Sequence, residues 1–370
     1  MSISTSTGRL FALLLLLLTA CTAAEAAPLP TATKEAIPPT AAAKLMPILQ
    51  ASVTPTATEE PTALPTATTP PTPTIDPAVT PTPTPRPDGT PPRVALQVGH
   101  LRSNELPDEQ AHLRRSTGAR WGTVTEAQLN LDIVNRIKPL LEARGVIVDI
   151  IPATVPPGYD ADAFLAIHAD GSTRSGPRGW KLATPWRTSA ASKLLLERVA
   201  TSYGSITGMP EDVGGVTVNM RGYYAFNWRR HTHAIAATTP AIIVEMGFMT
   251  NAADRAVMFN DPDRIARAIA EGVLDYLERR DPRDGAALLP PSYPVMRALE
   301  GGAAIRSAPR DQATLLARVG PDVQIIPFDK VGEWYQGFVR MSDRRIVGWV
   351  RADQVRATDE QPTFPTPTNP

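Results

Sequence analysis

The stretch PAIIVEMGFMTN, residues 240–251, decides how this chain is expected to fold. Its apolar run from Ala241 to Val244 has no polar break and is rich in β-branched side chains, which is typical of a strand buried on both faces of a parallel sheet. The run ends in a carboxylate, Glu245, and Gly247 follows, where the chain can turn sharply. Ligands of open α/β sheets bind beyond the carboxyl ends of the strands, so Glu245 lies where a catalytic carboxylate is expected. The alternative is an ion-paired Glu at a strand end.

Strand-like and helix-like segments alternate on the N-terminal side of this stretch and one helix follows it. The predicted strands are residues 94–98, 146–151, 163–167, 180–184 and 241–245, and the predicted helices are 126–144, 189–203 and 261–277. Pro139 is expected to kink the first helix near its end. Residues 101–123 are polar and are predicted to form a long loop. The alternation predicts an α/β fold with a mostly parallel sheet flanked by helices.

Three of the predicted strands end in side chains that can bind a metal ion or move a proton. His100, His168 and Glu245 lie at the ends of their strands, and Glu126 comes from the start of the first helix near the same rim. Two imidazoles and a carboxylate are a zinc-ligand set, because catalytic zinc takes three protein ligands and keeps a fourth position for water. A second carboxylate is then needed to take the proton of that water, and Glu245 is free to do so.

Each candidate ligand also has a plainer interpretation. The two histidines could be hydrogen-bonded strand-end residues, and Glu126 could complete a helix capping box with Thr123. A rival ligand pair exists at His231 and His233, whose spacing places both rings on one face of a strand. His112 is interpreted as a surface-loop residue, and the single cysteine excludes a Cys-rich zinc site.

Four motifs in this region, in order, resemble those of one enzyme family. They are Gly99-His100, the pair Glu126 and Asn130 in an E-x-x-x-N pattern, Ile167-His168-Ala169-Asp170, and VEMGFMTN at residues 244–251. Together they resemble the zinc-dependent N-acetylmuramoyl-L-alanine amidases, which are bacterial peptidoglycan hydrolases. The resemblance implies that His100, Glu126 and His168 bind Zn²⁺, and that Glu245 is the catalytic base. It also implies that the bond cut is the amide between muramic acid and L-alanine of the stem peptide.

The chain departs from that family pattern at three places. The glycines that usually follow the first histidine are missing from LQVGHL at residues 96–101, and Asp170 stands where the family has Asn. The arginine normally found before the third strand is not evident in residues 152–162. Asn130, Arg221 and Arg229 are the candidate substrate-binding residues, since Arg binds carboxylates bidentately. The alternative for the arginines, with Arg230 and nearby aromatic residues, is a solvated basic face.

The N-terminus is interpreted as an export and anchoring segment. Arg9 precedes an apolar run at residues 10–18, too short to span a membrane and typical of a signal peptide. The tetrad Leu18-Thr19-Ala20-Cys21 resembles a bacterial lipobox, so residues 1–20 are predicted to be a lipoprotein signal peptide and Cys21 its lipidated residue. The alternative is cleavage within residues 23–27, which releases the protein. Residues 21–92, rich in Pro and Thr, are predicted to be a disordered stalk.

A second, smaller module is predicted after the α/β domain at residues 93–280. Residues 281–294 are interpreted as a linker, residues 295–357 as a small all-β barrel and residues 358–370 as a disordered tail. The segments IRSAP at 305–309, GEWY at 332–335 and VGWV at 347–350 resemble bacterial SH3-type domains, which often bind wall polymers. Trp334, Tyr335 and Trp349 are candidates for a ligand groove, with a core role as the alternative.

Charge and composition limit the possible partners. The formal net charge is zero, which offers no electrostatic case for nucleic-acid binding. The sequence therefore predicts an extracytoplasmic amidase, anchored to the membrane by lipid on Cys21 and acting on peptidoglycan. Two rivals remain at this point: another zinc amidohydrolase or carboxypeptidase, and a catalytically inactive wall-binding lipoprotein.

Overall fold

The structure, a computed structural model, describes residues 82–83, 86–87, 89–174, 176–341 and 344–363. The predicted signal peptide, Cys21 and most of the predicted stalk lie outside the described residues. Of the helices in the described ranges, none has both the length and the apolar character that a bilayer crossing requires. Near the end of the predicted stalk, Arg86 forms ion pairs with Asp160 at 3.2 Å and Asp162 at 3.3 Å.

Strands and helices alternate through the first part of the described chain. In chain order the elements are β1 (Arg93–Val98), β2 (Arg120–Trp121), β3 (Val124–Thr125), α1 (Glu126–Glu142), β4 (Ile147–Ile151), β5 (Ala163–Asp170), β6 (Lys181–Ala183), α2 (Ala190–Thr207), α3 (Val218–Arg221), β7 (Ala241–Phe248), α4 (Ala252–Met258) and α5 (Pro262–Arg279). Five of the strands form one sheet in the order β4-β1-β5-β7-β6. The first four are parallel, while β6 runs antiparallel to β7 at the edge. The predicted α/β class and mostly parallel sheet are confirmed.

The main core lies between this sheet and the long helices. The buried residues of α1 and of α5 recur every three or four positions, as the sequence predicts. The fully buried ones include Ile133, Ile137 and Leu141 of α1 and Ile265, Ile269, Val273 and Tyr276 of α5. Asp261 caps α5 by accepting a hydrogen bond from the Arg264 N–H at 3.3 Å, with Pro262 in the first turn. The sheet is buried on both faces, which explains the unbroken apolar runs of β5 and β7.

Two local expectations were wrong. The chain does not turn sharply at Gly247, because β7 continues to Phe248; glycine is favoured there because its φ of 156° is one that other residues rarely adopt. Residues 101–123 are not an irregular loop, since they contain 3₁₀ turns at Ser103–Glu105 and Asp108–Leu113 and the β2–β3 hairpin.

The C-terminal part of the described chain is an antiparallel sheet of seven strands. A short helix, α6 (Gly285–Leu288), precedes it. The strands are β8 (Val295–Ala298), β9 (Ala303–Arg306), β10 (Leu315–Val319), β11 (Gln324–Val331), β12 (Trp334–Arg340), β13 (Arg345–Arg351) and β14 (Val355–Thr358). Their order in the sheet is β10-β9-β13-β12-β11-β8-β14. The sequence missed β8 and β14. It also began the disordered tail too early, because Thr358 lies in β14 and Glu360 pairs with Arg297 at 2.7 Å.

The aromatic residues proposed for a ligand groove do not all face the same way. Trp349 pairs with Gln336, so it shares a face with Trp334, two residues away from Gln336 along β12. Tyr335 lies on the opposite face, where it packs against the core of the C-terminal sheet and against Tyr293. A groove on this sheet can therefore use the two tryptophans but not Tyr335.

The C-terminal sheet packs on the α/β part through an aromatic cluster. The Trp186 ring lies 4.9 Å from the ring of Phe328 and 5.3 Å from that of Phe338, centroid to centroid. Arg221 stacks over Trp186 at 4.3 Å, and Arg187 donates a hydrogen bond to the carbonyl of Pro291 at 3.3 Å. Phe328 is fully buried, so the two parts share a desolvated contact.

Candidate metal centre and active site

His100, Glu126 and His168 converge at the rim of the sheet. One ligand atom from each lies within 4.8 Å of the other two. Glu126 Oε1 is 2.9 Å from Nδ1 of His168 and 3.5 Å from Nε2 of His100, and the two imidazole rings are 5.0 Å apart. Among the residues that the structure describes, no other set of three His, Cys, Asp or Glu side chains converges in this way.

The local backbone structure orients each of the three side chains. His100 follows β1 with a left-handed backbone, φ 62°, which directs its ring off the end of the strand. His168 lies within β5, and Glu126 is the first residue of α1. The capping box of α1 is formed by Thr125 and Gln128, not by Thr123 and Glu126. The capping alternative for Glu126 is therefore wrong, and its carboxylate is free to join the histidines.

The Glu126 carboxylate is held by backbone donors. The N–H of Ala119 donates to Oε2 at 2.7 Å, and the N–H of Ala169 donates to Oε1 at 3.2 Å. Gly118 has a left-handed φ of 71°, and a Cβ on it would lie 2.3 Å from Oε2 of Glu126. The chain can therefore pass the carboxylate this closely only with glycine at position 118.

Both histidines have a hydrogen-bond partner on the side away from Glu126. Nδ1 of His100 lies 2.9 Å from the carbonyl of Ser116, and Nε2 of His168 lies 3.1 Å from the hydroxyl of Tyr223. Partners of this kind fix the tautomer and orientation of metal-binding histidines. The sequence did not predict this contact, because no spacing rule links Tyr223 to His168.

Asn130 lies behind Glu126 rather than in a substrate cavity. It is fully buried, and its amide donates to the carbonyl of Gly99 at 3.3 Å and to Oε1 of Glu126 at 3.4 Å. The predicted substrate contact is not possible from this position. The E-x-x-x-N spacing instead places the amide one helical turn below the carboxylate that it supports.

Glu245 lies beside this cluster on the neighbouring strand. It is in register with His168 across the β5–β7 pair. Its Oε2 atom is buried and has no hydrogen-bond partner in the described part of the chain. Burial, together with the nearby charges of Glu126 and Asp170, raises the pKa of Glu245 to about 8, although His168 and Lys181 oppose the shift.

The opposite shift occurs at the ligand carboxylate. Burial disfavours the charged form of Glu126, but the hydrogen bond and charge of His168 and the charge of His100 outweigh it and lower the pKa to about 2. Burial likewise disfavours the charged form of His168, and its hydrogen bond to Glu126 outweighs this and raises its pKa. The pKa values of the two glutamates are therefore far apart: Glu126 is an anion at neutral pH, whereas Glu245 can exchange a proton near neutral pH.

Lys181 is a polar residue at this site that the sequence did not identify. It lies opposite Glu245 on β6, is almost fully buried, and donates to Asp170 at 2.6 Å and Asp212 at 3.0 Å. The residue that departs from the family motif, Asp170, is thus neutralised by a lysine from the edge strand. The antiparallel direction of β6, which brings Lys181 there, was not predicted.

A cavity of about 410 Å³ opens in front of His100 and His168. Its lining also includes Ser103, Leu106, His112, Leu113, Ser116, Ala153, Asn219, Gly222, Tyr223, Tyr224, Asn227, Arg230 and His231. Two segments supply most of this lining, residues 103–116 and 219–231.

The structure separates the other predicted site residues. Arg221 stacks on Trp186 at the contact with the C-terminal sheet, and Arg229 stacks on Trp228 at 4.6 Å; neither lines the cavity, whereas Arg230 does. Arg221 therefore lies away from this cavity, and its predicted carboxylate-binding role is not supported by its position.

The rival metal pair is not formed. Nδ1 of His233 lies 3.0 Å from a carboxylate oxygen of Glu109, while His231 is buried against the cavity, and no third ligand among the described residues joins them. His112, interpreted as a surface residue, lines the cavity.

Comparison with known proteins agrees with this geometry. Residues 94–275 match a family model described as N-acetylmuramoyl-L-alanine amidase. This segment belongs to the N-acetylmuramoyl-L-alanine amidase family. It contains every residue of the candidate metal centre together with Glu245, and we call it the amidase domain.

Individual relatives of the amidase domain were also found. The chain is 26% identical over 208 residues to the N-acetylmuramoyl-L-alanine amidase LytC of Bacillus subtilis (strain 168), a match covering 51% of this chain and 39% of that relative. The chain thus spans well under half the length of the curated relative it matches. One similar solved structure is an N-acetylmuramoyl-L-alanine amidase from Clostridium difficile 630, with 18% identity and a TM-score of 0.38; the match covers 52% of this chain and 100% of that one. Another is the catalytic domain of CwlV, an N-acetylmuramoyl-L-alanine amidase from Bacillus (Paenibacillus) polymyxa var. colistinus, with 20% identity and a TM-score of 0.36; the match covers 51% of this chain and 99% of that one.

The residues of the amidase domain fit a metal ion. Two imidazoles and one carboxylate are the donor types that divalent zinc accepts. The carboxylate is buried with its backbone donors in place, and each imidazole has a partner on its far nitrogen. A buried carboxylate held within 3.5 Å of two imidazoles matches a site that a cation completes.

Proposed function

We propose that the protein is a peptidoglycan hydrolase that cuts the amide between N-acetylmuramic acid and L-alanine of the stem peptide. His100, Glu126 and His168 would hold Zn²⁺ at the rim of the sheet. When bound, the ion supplies Lewis-acid chemistry, polarising the scissile carbonyl and acidifying water. The membership of residues 94–275 in the amidase family supports this reaction, and the single observation that carries it is the pairing of the His–Glu–His cluster with a protonatable Glu245 in register beside it.

Glu245 is assigned the proton transfers of the reaction. A general base works best when its pKa lies near the working pH, and the pKa of about 8 meets this condition. Its carboxylate takes a proton from the attacking water and later donates a proton to the leaving amine of L-alanine. The unpartnered Oε2 atom is available for this because no described residue competes for it.

The neighbouring residues hold these groups in place. Tyr223 orients the ring of His168, and Asn130 and two backbone N–H groups orient Glu126. Lys181 balances the charge of Asp170 close to Glu245. The cavity of about 410 Å³ has room for the peptide side of the bond as well as part of the sugar.

One experiment tests the reaction and its base together. The full chain is incubated with purified peptidoglycan, with and without a chelator, and the released fragments are identified by mass spectrometry. We expect free stem peptides beginning with L-alanine, no release in the presence of chelator, and no release by Glu245→Gln despite normal zinc content. Release by Glu245→Gln at the wild-type rate would refute the assignment of the base, and fragments trimmed at the carboxyl end of the peptide would identify a carboxypeptidase instead.

We further propose that the protein acts outside the cytoplasm, anchored by lipid on Cys21 through the Pro/Thr-rich stalk. The support is the lipobox-like tetrad, in which the only cysteine of the chain stands. Labelling with radioactive palmitate should mark the wild type but not Cys21→Ala. Equal labelling of the two would remove the anchor from the proposal.

The C-terminal sheet is proposed to be an SH3-like wall-binding module. Trp334 and Trp349 lie on one face of neighbouring strands and offer stacking surfaces for a wall polymer. Sedimentation of the full chain with purified cell walls should weaken in the double variant Trp334→Ala/Trp349→Ala. Unchanged sedimentation would assign the sheet a spacer role.

A further inference from the structure

The wall of the cavity opposite His100 and His168 carries basic side chains and no acidic ones among the described residues. Its basic members are Arg230, His112 and His231, and no Asp or Glu is among the described residues that line the cavity. The guanidinium of Arg230 forms no ion pair with any described residue, although the backbone N–H of Arg230 is bonded to the carbonyl of Asn227 at 2.9 Å. An unpaired arginine on an acid-free wall creates a local preference for anions.

The two segments that carry these residues are locked together. Glu109 accepts hydrogen bonds from the N–H groups of Thr232 and His233 at 2.9 and 2.8 Å, and its neighbour Gln110 donates to the carbonyl of His233 at 2.9 Å. Gln110 is fully buried. The 3₁₀ turn that bears His112 is thereby held against the turn that bears Arg230 and His231. The wall is preorganised, so little ordering is required when a ligand binds.

The segment at residues 101–116 directly follows LQVGHL at residues 96–101, where the chain departs from the glycine-rich pattern that the resemblance implies. It contains two 3₁₀ turns, at Ser103–Glu105 and Asp108–Leu113. Residues 152–162, which lack the family's arginine, contribute only Ala153 to the cavity lining. The arginine among the described residues that line the cavity is Arg230, from another loop.

We propose that Arg230, His231 and His112 form a carboxylate subsite that selects stem peptides with a free carboxylate on the residue after L-alanine. The inference rests on the proposed amidase function, since it places the peptide side of the substrate along this wall. Arg230 supplies the bidentate cation and the two imidazoles supply further hydrogen bonds. A carboxamide at the same position carries no charge and pairs less well with a guanidinium.

The test measures binding rather than turnover. The ligands are two N-acetylmuramoyl dipeptides that differ only in the second residue, which carries a free α-carboxylate in one and a carboxamide in the other. Each is titrated calorimetrically into the zinc-loaded full-length Glu245→Gln variant. We expect the carboxylate ligand to bind about tenfold more tightly or better, as charge-assisted hydrogen bonds predict. Addition of Arg230→Gln should remove most of this difference by weakening only the carboxylate ligand.

Two further variants make the test specific. Arg144→Gln removes an equal charge from an exposed position near the end of α1 and should leave the preference unchanged. Glu109→Ala releases the turn that bears His231 and should lower the preference without changing zinc content. Equal binding of the two ligands, binding of neither, or equal weakening of both by Arg230→Gln would overturn the subsite.

The outcome is independent of the reaction itself. Selective binding by Glu245→Gln, combined with no release of peptides from peptidoglycan by the wild type, would keep the subsite and refute the proposed function. Release of peptides by the wild type, combined with equal binding of the two dipeptides, would keep the proposed function and refute the subsite.

Discussion

His168 and Glu245 lie opposite each other in register on the adjacent parallel strands β5 and β7. The first is bonded to Glu126, whose pKa is lowered to about 2, and the second has a pKa raised to about 8. One strand pairing thus places a candidate metal ligand beside a candidate proton acceptor. Because both side chains are carried by buried strands rather than by loops, their separation is held by the packing of the sheet.

Substitution of Glu245 by Gln should stabilise the metal-free protein more at pH 8.5 than at pH 5. The pKa of Glu245 is higher in the folded protein than its ordinary value of 4.5, so the folded state binds the proton more tightly. Stability of the wild type is therefore lost as the pH rises from about 4.5 through 8. Gln carries no charge to bury, and we expect a gain of about 2 kcal/mol at pH 8.5. Urea unfolding of the chelated proteins measures it, and a gain independent of pH would contradict the raised pKa.

Acid should unfold the metal-free protein partly through Glu126. Its pKa is lower in the folded state, so its stabilising contribution is present above its ordinary value of 4.5 and is lost as the pH falls towards about 2. Glu126→Gln should flatten this part of the stability curve of the chelated protein, measured by urea unfolding between pH 5 and pH 2. An unchanged slope would show that the carboxylate is not held as an anion in the fold.

Substitution of Tyr223 by Phe should weaken zinc binding by about 10- to 100-fold, because the hydroxyl that orients His168 is lost. Competition with a fluorescent zinc chelator measures the affinity. Tyr159→Phe is the matched control, since its hydroxyl bonds to Asp149 away from the cluster. Equal zinc affinities of the two variants would assign Tyr223 a packing role only.

Gly118 and Gly122 offer a paired test of the close approach to Glu126. Both have a left-handed φ, 71° and 57°, so alanine at either position costs about 1 kcal/mol or slightly more in backbone strain. A Cβ at position 118 would meet the Glu126 carboxylate at 2.3 Å and the His100 ring at 2.6 Å, whereas one at position 122 would meet nothing within 4 Å. Gly118→Ala should therefore lose zinc and Gly122→Ala should retain it. Metal content after dialysis distinguishes them, and equal retention would contradict the geometry.

Trp186 should couple the C-terminal sheet to the amidase domain. Trp186→Ala removes the ring that contacts Phe328 and Phe338, and we expect a loss of about 2 kcal/mol from the half-buried contact. Limited proteolysis should then cut the connection at residues 281–294 faster. Trp121→Ala, at an exposed indole, is the control. Equal cleavage of both variants would show that the aromatic contact does not hold the two parts together.

The amino-acid sequence by itself determined the mostly parallel sheet and the convergence of His100, Glu126, His168 and Glu245 at one rim of it. Unbroken apolar runs identify strands buried on both faces, and polar residues at their ends, such as His100 and Glu245, must then meet at one rim. The three- to four-residue spacing of α1 located Glu126 at a helix start. These features are local, since they depend on residues close together in the chain.

Only the tertiary structure decided what surrounds that centre. Asn130 was expected to contact the substrate but lies behind Glu126. Arg221 lies at the contact with the C-terminal sheet, and the arginine that lines the cavity is Arg230. The Tyr223–His168 and Glu109–His233 contacts join segments 55 and 124 residues apart. Loops have no periodic pattern, and their positions follow from long-range hydrogen bonds and packing that spacing along the chain does not encode.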